Sequence, residues 1–559
     1  MWSRFWHIAK PYWTHDAKWA ARGMIVLLVV LLLGRTEFTV EFNNQTGEMT
    51  SALAAHDSAR FWHSVKIFTT VLVIAVPIYG YYYYVRDKLG ILWRRWLTQR
   101  FLGRYFKDRA YYELTSNNNI DNPDQRIAVD IDAFTANSLR FLLEIVSAVL
   151  QLLAFSSVLW HISKPLVGVL AVYAVIGTVV TFGVFGKPLV NLNFLQLRRE
   201  ADFRFGLIRV RENAEAIAFY RGEARESRHV IDRFTDVFRN KVRLLKRTLG
   251  LNLFQYAYSF ATYIIPVVII APRVLSRELE VGQMTIAVGA FSAMLSSLTI
   301  FIDNFELLSQ FGAGVERLHS FSHSLVMEKP EAHPDSTIKR VESPALAIND
   351  LTLQTPGRER TLMEHVSLAV DEGKSLLIAG ASGGGKSSLL RAIAGLWNAG
   401  TGEIQRPKLD DMLFLPQRPY MILGTLRNQL LYPNIDREIA DEELQAVLEQ
   451  VNLGNAAERC GGFDVEIDFG KVLSGGEQQR LAVARVLLSK PRYIVLDEAT
   501  SALDEVNEAK LYAKLVEDGG TLISVTHHPG LVKYHRQVLE IVGDGTWKLV
   551  DAEGYRLVE

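Results

Sequence analysis

Across the first 327 residues, uncharged apolar stretches alternate with strongly charged ones; beyond residue 345 the apolar residues fall into short runs separated by glycine-rich turns. Four uncharged apolar runs, 67–85, 165–186, 249–272 and 281–302, are each long enough for the ~30 Å hydrocarbon core of a bilayer at about 1.5 Å per residue. They predict membrane-crossing helices. A fifth run, 141–161, is interrupted by Glu144, and a sixth, 24–34, is short and must extend into its flanks. A buried soluble helix and a signal peptide are the other readings of residues 24–34. Tryptophan-rich flanks and the lack of a small-residue cleavage site speak against the signal peptide.

Basic residues orient these spans. Residues 86–109 hold eight Lys or Arg against two acids, whereas the loop expected over 35–63 holds two Arg against four acids. The positive-inside bias places the first loop outside and the second inside. Six spans then leave both ends of the chain in the cytoplasm. The inside segments 86–137 and 187–246 are too long for turns and keep apolar residues at helical spacing, such as Phe203, Leu207, Val210 and Ala214. They predict helices that continue past the bilayer. Their tips, 121–126 and 212–223, carry Asp121, Glu212, Phe219 and Glu223, candidates for contact with a second domain; a solvated, capped loop is the plainer alternative. Residues 328–344, rich in Pro, Ser and charge, read as a linker. The run Tyr81 to Tyr84 suits an interfacial belt better than a substrate cage.

Composition adds limits. With 559 residues, zero formal charge and 49% hydrophobic residues, the chain can hold several domains and gives no sign of a nucleic-acid partner. The single Cys460 forbids an intrachain disulfide and reads as an inert surface or core thiol.

Chemistry concentrates after residue 345. Gly380-Ala381-Ser382-Gly383-Gly384-Gly385-Lys386-Ser387 follows an apolar strand at 375–379 and opens a helix at 388–396 that begins with Ser388. Such a loop lets backbone N–H groups and a helix N-terminus face the phosphates of a nucleotide, with Lys386 as point charge and Ser387 as a hydroxyl for Mg²⁺. A second glycine turn, Leu473-Ser474-Gly475-Gly476-Glu477-Gln478-Gln479-Arg480, runs into another helix. Ser474, Gly475, Gly476 and Gln478 are donors the first loop does not need. A second, identical chain could present them to the same nucleotide. The apolar strand 493–496 ends in Asp497 and Glu498, where a doubly wound sheet places its ligand chemistry. Asp497 suits Mg²⁺ through water and Glu498 the attacking water. Gln417 can reach both, and His527, at the end of strand 522–526, can reach the γ-phosphate.

In chain order, Lys386, Gln417, Ser474, Asp497, Asp504 and His527 resemble the ATP-binding cassette of ABC transporters, with Ser501-Ala502-Leu503-Asp504 matching the loop that crosses between two cassettes. The two tips, Phe301-Ile302-Asp303-Asn304-Phe305-Glu306, Phe414-Leu415-Pro416-Gln417-Arg418-Pro419-Tyr420 and Gly395-Leu396-Trp397 narrow this. They are similar to the peroxisomal acyl-CoA half-transporters and the SbmA/BacA-like permeases with a fused cassette. The resemblance implies an α-helical six-span domain of the exporter type over 1–327, a linker over 328–344 and an α/β P-loop cassette over 345–559. It also implies ATP and Mg²⁺ as cofactors, and membrane lipid, a transported solute and a second copy of the chain as partners. One phosphate loop and one signature turn per chain make a two-fold homodimer with two composite sites.

The resemblance is imperfect in two places. The family stacks adenine on an aromatic before the phosphate loop, yet residues 348–360 contain no Phe, Tyr or Trp. Residues 463–469 carry acids where exporters have a different sequence, so no coupling residue is assigned there. Within the spans, Glu144 should face a cavity or pair with Arg140 one turn away. Asp303 and Glu306 belong at the inner end of the sixth helix, for capping or gating. The expected activity is ATP-driven import of peptides or similar hydrophilic compounds across a bacterial inner membrane, with both termini and the cassette cytoplasmic. Export of lipid-like or acyl substrates is the alternative, and a membrane-bound regulatory ATPase that moves nothing is the competing class.

Overall fold

The computed structural model describes residues 2–14, 18–116, 123–300, 304–325 and 337–556. The chain divides into two compact units, Met1–Met327 and Glu328–Glu559.

Six helices among the described residues of the first unit are long and apolar enough to cross a membrane: Lys18–Ala54, Ser58–Leu114, Pro123–Ile162, Lys164–Glu212, Glu223–Leu275 and Val281–Leu298. Their regular parts are α2 (Lys18–Ala54), α3 (Ser58–Phe106), α4 (Ile131–Ile162), α5 (Lys164–Val180), α6 (Lys187–Glu212), α8 (Glu223–Leu275) and α9 (Val281–Leu298). Before them lies α1 (Trp2–Thr14), between α6 and α8 lies α7 (Ala214–Tyr220), and α10 (Phe305–Ser324) follows α9.

The short run 24–34 does extend, and further than expected. Residues 35–54, read from sequence as part of an outer loop, continue α2. Their polar side chains have partners on neighbouring helices: Asn43 Nδ2 donates to the Ile286 carbonyl at 2.9 Å. Arg60 Nη2 lies 2.7 Å from Glu48 Oε2 and 2.9 Å from Glu280 Oε2. Gly47 and Gly282 bring α2 and α9 so close that a Cβ on Gly282 would overlap the Gly47 carbonyl. The turn into α3 shrinks to residues 55–57, and Asp57 caps the new helix by accepting from the Arg60 N–H at 3.0 Å. A second tight crossing joins α5 to α8. The rings of Tyr173 and Tyr258 stack at 4.2 Å, and each hydroxyl donates to the other's backbone carbonyl, at 2.7 and 2.8 Å. Such a pair supplies about 0.5–1.5 kcal/mol beyond its area.

The α6 extension packs through a different stripe from the one expected. Phe203 and Val210 are half-buried and Gly206 is buried, while Leu207 and Ala214 are exposed. Gly206 leaves room for the Arg233 stem of α8, and Phe203 meets Phe234 at 5.4 Å.

In the second unit, strands β1 (Lys339–Glu342), β2 (Leu346–Gln354), β3 (Thr361–Val370) and β5 (Gly400–Arg406) form one sheet in the order β1-β5-β2-β3. The linker reading of 328–344 therefore fails at its end: Lys339 to Glu342 pair in parallel with Glu403 to Arg406. The larger sheet holds β4 (Leu376–Gly380), β6 (Met412–Leu415), β9 (Tyr493–Asp497), β10 (Thr521–Val525), β11 (Gln537–Gly543) and β12 (Thr546–Asp551), in the order β12-β11-β4-β10-β9-β6. A short pair, β7 (Gly424–Thr425) and β8 (Glu466–Ile467), completes the set. Leu376, Ile378, Leu389, Ile393, Val495, Ile523 and Leu539 share one core with Ile348, Val366 and Leu368 of the smaller sheet. Continuous apolar strands such as β4, β9 and β10 are those of a sheet buried on both faces.

Candidate functional site

Strands β4, β10, β9 and β6 are adjacent and mutually parallel, so their carboxyl ends open on one edge. Each end delivers one of the groups singled out in the sequence. After β4 comes the phosphate loop, after β10 His527, at the end of β9 Asp497 and Glu498, and after β6 Gln417. The helix after the loop, α11 (Lys386–Ala394), starts two residues earlier than expected, which places Lys386, Ser387 and Ser388 in its first turn. Those N–H groups have no intrahelical acceptor and point out of the N-terminus. Glycine is required at the loop's two ends. Gly380 has φ +131° and a Cβ there would strike the Ile541 carbonyl; Gly385 has φ +99° and lies against Leu362.

Polar contacts knit the edge together. Lys386 Nζ donates to the carbonyls of Gly380 and Ala381 at 2.7 and 3.0 Å, and burial lowers its pKa. Ser387 Oγ donates to Asp497 Oδ1 at 2.8 Å, and burial raises the Asp497 pKa. A hydroxyl and a carboxylate so placed are the oxygen donors a hard divalent cation takes. Glu498 has a left-handed backbone, φ +49°. One carboxylate oxygen accepts from Gln417 Nε2 at 2.9 Å, and the other lies 3.2 Å from His527 Nε2. A base held between an amide and an imidazole can take a proton from water beside a phosphate.

The signature turn is built on α13 (Gly475–Ser489), for which α12 (Leu426–Leu431) supplies one packing wall. Ser474 is its N-cap in a full capping box: the Ser474 N–H donates to Glu477 Oε2 at 2.8 Å, and the Glu477 N–H to Ser474 Oγ at 3.4 Å. Arg459 pairs with Glu477 and holds its pKa down to about 2. Gln478 Nε2 donates to the Leu473 carbonyl at 2.8 Å. Asp504 caps α14 (Glu505–Glu517) by accepting from the Asn507 N–H at 3.0 Å, and that bond lowers its pKa.

Sequence reasoning missed three groups here. Buried Glu508 accepts from Thr500 Oγ1 at 2.6 Å and lies 2.5 Å from His528 Nδ1, tying the loop before Asp504 to the loop of His527. Arg485 is buried in α13 and donates to the Gln429 and Tyr420 carbonyls at 2.7 and 2.9 Å. Buried Gln479 is the third. The helical spacing of Arg485 and Gln479 with apolar α13 neighbours was the available signal. Cys460 is buried, and burial raises its pKa, as for an unreactive thiol.

In the first unit, Arg140 Nε pairs with Glu144 Oε1 at 2.8 Å and Arg140 Nη2 reaches Asn304 Oδ1 at 3.3 Å. Both charges line a cavity of about 280 Å³ with Arg35, Arg86, Gln151 and Ser297. Glu212 ends α6, Glu223 starts α8, and Phe219 on α7 is 78% exposed. Asp121 and Asp303 lie outside the described residues. Glu306 falls in α10.

Residues 10–275 match the family described as ABC transporter transmembrane region 2, and residues 363–501 match the ABC transporter family. An ABC transporter ATP-binding protein of Synechocystis sp. is 46% identical, covering 95% of this chain and 81% of its own length. The chain is an ABC half-transporter. Two further relatives give its type: the chloroplastic ABC transporter D family member 2 of Arabidopsis thaliana, 37% identical over 99% of this chain and 88% of its own, and the human lysosomal cobalamin transporter ABCD4, 31% identical over 95% and 94%. The half-transporter is thus D-family-like, a multi-pass membrane protein whose cassette binds ATP and couples its hydrolysis to transport.

Proposed function

We propose that two copies of this half-transporter form a homodimer that imports a hydrophilic solute, a peptide or a compound of similar polarity, across a bacterial inner membrane with its cassettes in the cytoplasm. The supporting observation is the cavity among α2, α3, α4 and α9. Arg35, Arg86, Arg140, Glu144, Ser147, Gln151, Ser297 and Asn304 contribute to its lining, an environment that solvates polar groups rather than acyl chains. A smaller cavity of about 120 Å³, lined by Thr181, Gln255, Ser259, Thr262 and Thr299 beside Phe254 and Leu295, shares Ser296 with it. Charges inside a span persist where they face water or a ligand. One relative's name, inner membrane ABC transporter ATP-binding protein YddA of Escherichia coli, supports the membrane, and the cobalamin transporter ABCD4 supports a hydrophilic cargo.

In this reading the residues from Gly380 to Ser388 hold the phosphates, Ser387, Asp497 and Gln417 hold Mg²⁺, and Glu498 with His527 handles the water at the γ-phosphate. Ser474, Gly475, Gly476, Gln478 and Asp504 face the partner's nucleotide. The tips with Asp121, Glu212, Phe219 and Glu223 carry closure to the membrane helices, and Asp303 and Glu306 act at the inner end of the sixth. The test is uptake and efflux of labelled peptides, corrinoids and acyl substrates in cells carrying wild-type protein or Glu498→Gln. Uptake that needs Glu498 supports import. Efflux of acyl substrates that needs it would replace that reading with export, and ATP turnover without flux in vesicles would leave a regulatory ATPase.

A further inference from the structure

Gln479 lies in the second turn of α13 and is 4% exposed. Both ends of its side-chain amide are used. Its Oε1 accepts from the backbone N–H of Ala502 at 2.9 Å, and its Nε2 donates to the backbone carbonyl of Gln417 at 3.2 Å. Neither partner belongs to a strand or helix. Ala502 sits in the loop that ends at Asp504, and Gln417 is the residue whose own amide holds Glu498. Gly476, one turn earlier, packs so near that an added Cβ would stand 3.1 Å from the Ala502 carbonyl oxygen. The helix that presents Ser474 is therefore bound to two functional loops through one buried group.

Packing alone accounts poorly for this choice of residue. An apolar side chain of the same length would fill the space but lose the bonds to the partly buried Ala502 N–H and Gln417 carbonyl, at about 0.5–1.5 kcal/mol each. A donor and an acceptor on one planar group match a loop that offers an N–H and a loop that offers a carbonyl. We propose that Gln479 is a positioning residue for ATP hydrolysis. It fixes the Gln417 loop against the Ala502 loop, so that the Gln417 amide stands correctly at Glu498 only when the loop leading to Asp504 is in place. It touches neither nucleotide nor water.

The experiment uses the full-length, reconstituted protein and measures ATP turnover at pH 8 for wild type, Gln479→Leu and Gln479→Glu, with thermal midpoints alongside. Gln479→Leu loses both bonds; kcat should fall at least about tenfold while KM for ATP stays within about threefold, because the phosphate loop is untouched. Gln479→Glu keeps the length and the acceptor for the Ala502 N–H but loses the donor to the Gln417 carbonyl, so its kcat should fall at least about fivefold with KM again within about threefold. Unchanged kcat in either variant overturns the proposal, and so does a loss that comes with a matching rise in KM or that follows the thermal midpoint. If Gln479→Leu does not fold, the kcat and KM of Gln479→Glu decide alone.

Discussion

Replacing Glu498 by Gln separates shape from proton chemistry. The amide keeps the side chain's length and swaps one oxygen for NH₂. In the wild-type chain that carboxylate accepts from Gln417 Nε2 at 2.9 Å and lies 3.2 Å from His527 Nε2. The Gln417 amide can turn to offer its oxygen to the new NH₂, and the remaining oxygen can still meet His527. Each pair is worth about 1 kcal/mol and is rearranged rather than lost, so folding stability should move by under ~1 kcal/mol. What disappears is the ability to accept a proton from water. A positioned general base contributes about 10²–10⁴-fold, or roughly 2.7–5.4 kcal/mol of barrier at ~1.36 kcal/mol per tenfold. Phosphate release by the reconstituted variant should therefore fall by about 10²–10⁴-fold. Retention of labelled ATP should match or exceed wild type, because the groups from Gly380 to Ser388 are unchanged. A loss below about tenfold would refute the assignment of Glu498 as the base. A large loss with ATP binding weakened in parallel would show that the carboxylate shapes the site instead.

Phe219→Asp should stop transport while leaving ATP turnover without response to solute; at 78% exposure the change should alter stability by no more than about 0.5 kcal/mol. Wild-type flux would remove this tip from the mechanism, and a large drop in thermal midpoint would show that Phe219 packs within its own helices. GTP should support turnover within about tenfold of ATP, a difference under ~1.4 kcal/mol, since no aromatic stands in residues 348–360; strict ATP preference would mean that another residue, such as Tyr432, reads the base. Burial lowers the His535 pKa from 6.5 to about 4. The unfolded chain thus binds more protons between pH 4 and 6.5, and about 3 kcal/mol of stability present above pH 6.5 is lost as pH falls to 4. His535→Asn should flatten that part of the stability profile measured by denaturant titration, and an unchanged slope would refute the assignment.

Much of the cassette was legible because its chemistry is local. Lys386, Asp497, Glu498, Gln417 and His527 each sit at or just after an apolar strand, and parallel pairing of those strands brings their ends to one edge without further information. The membrane helices were legible as apolar runs, but their true lengths were not. Residues 35–54 looked like a loop because side chains such as Asn43 and Glu48 are polar, and only their tertiary contacts with Ile286 and Arg60 reveal that a helix can carry them. Gly47 and Gly282 gave no signal alone, since a close helix crossing is a property of two segments. The linker reading of Lys339 to Glu342 failed similarly, because a charged four-residue strand is recognisable only beside β5. Gln479 and Glu508 were missed because each serves backbone or side-chain groups far away in sequence.

The signature turn shows how a fixed scaffold can leave one group free to act. Ser474 is bound twice to Glu477, but unequally. Its N–H donates at 2.8 Å, while its hydroxyl accepts at 3.4 Å, a distance at which a hydrogen bond is weak. The Glu477 carboxylate is held by Arg459 and stays ionised down to about pH 2, so the stronger half of the capping box persists throughout the physiological range. Turning the Ser474 hydroxyl away costs only the weaker half. In the proposed dimer that hydroxyl is the group that must leave its own helix for the partner's phosphate, and Gly475 and Gly476 present no side chain to block it. The helix N-terminus stays capped by Glu477 while its serine exchanges partners, so each cycle of closing and opening can proceed without unwinding α13.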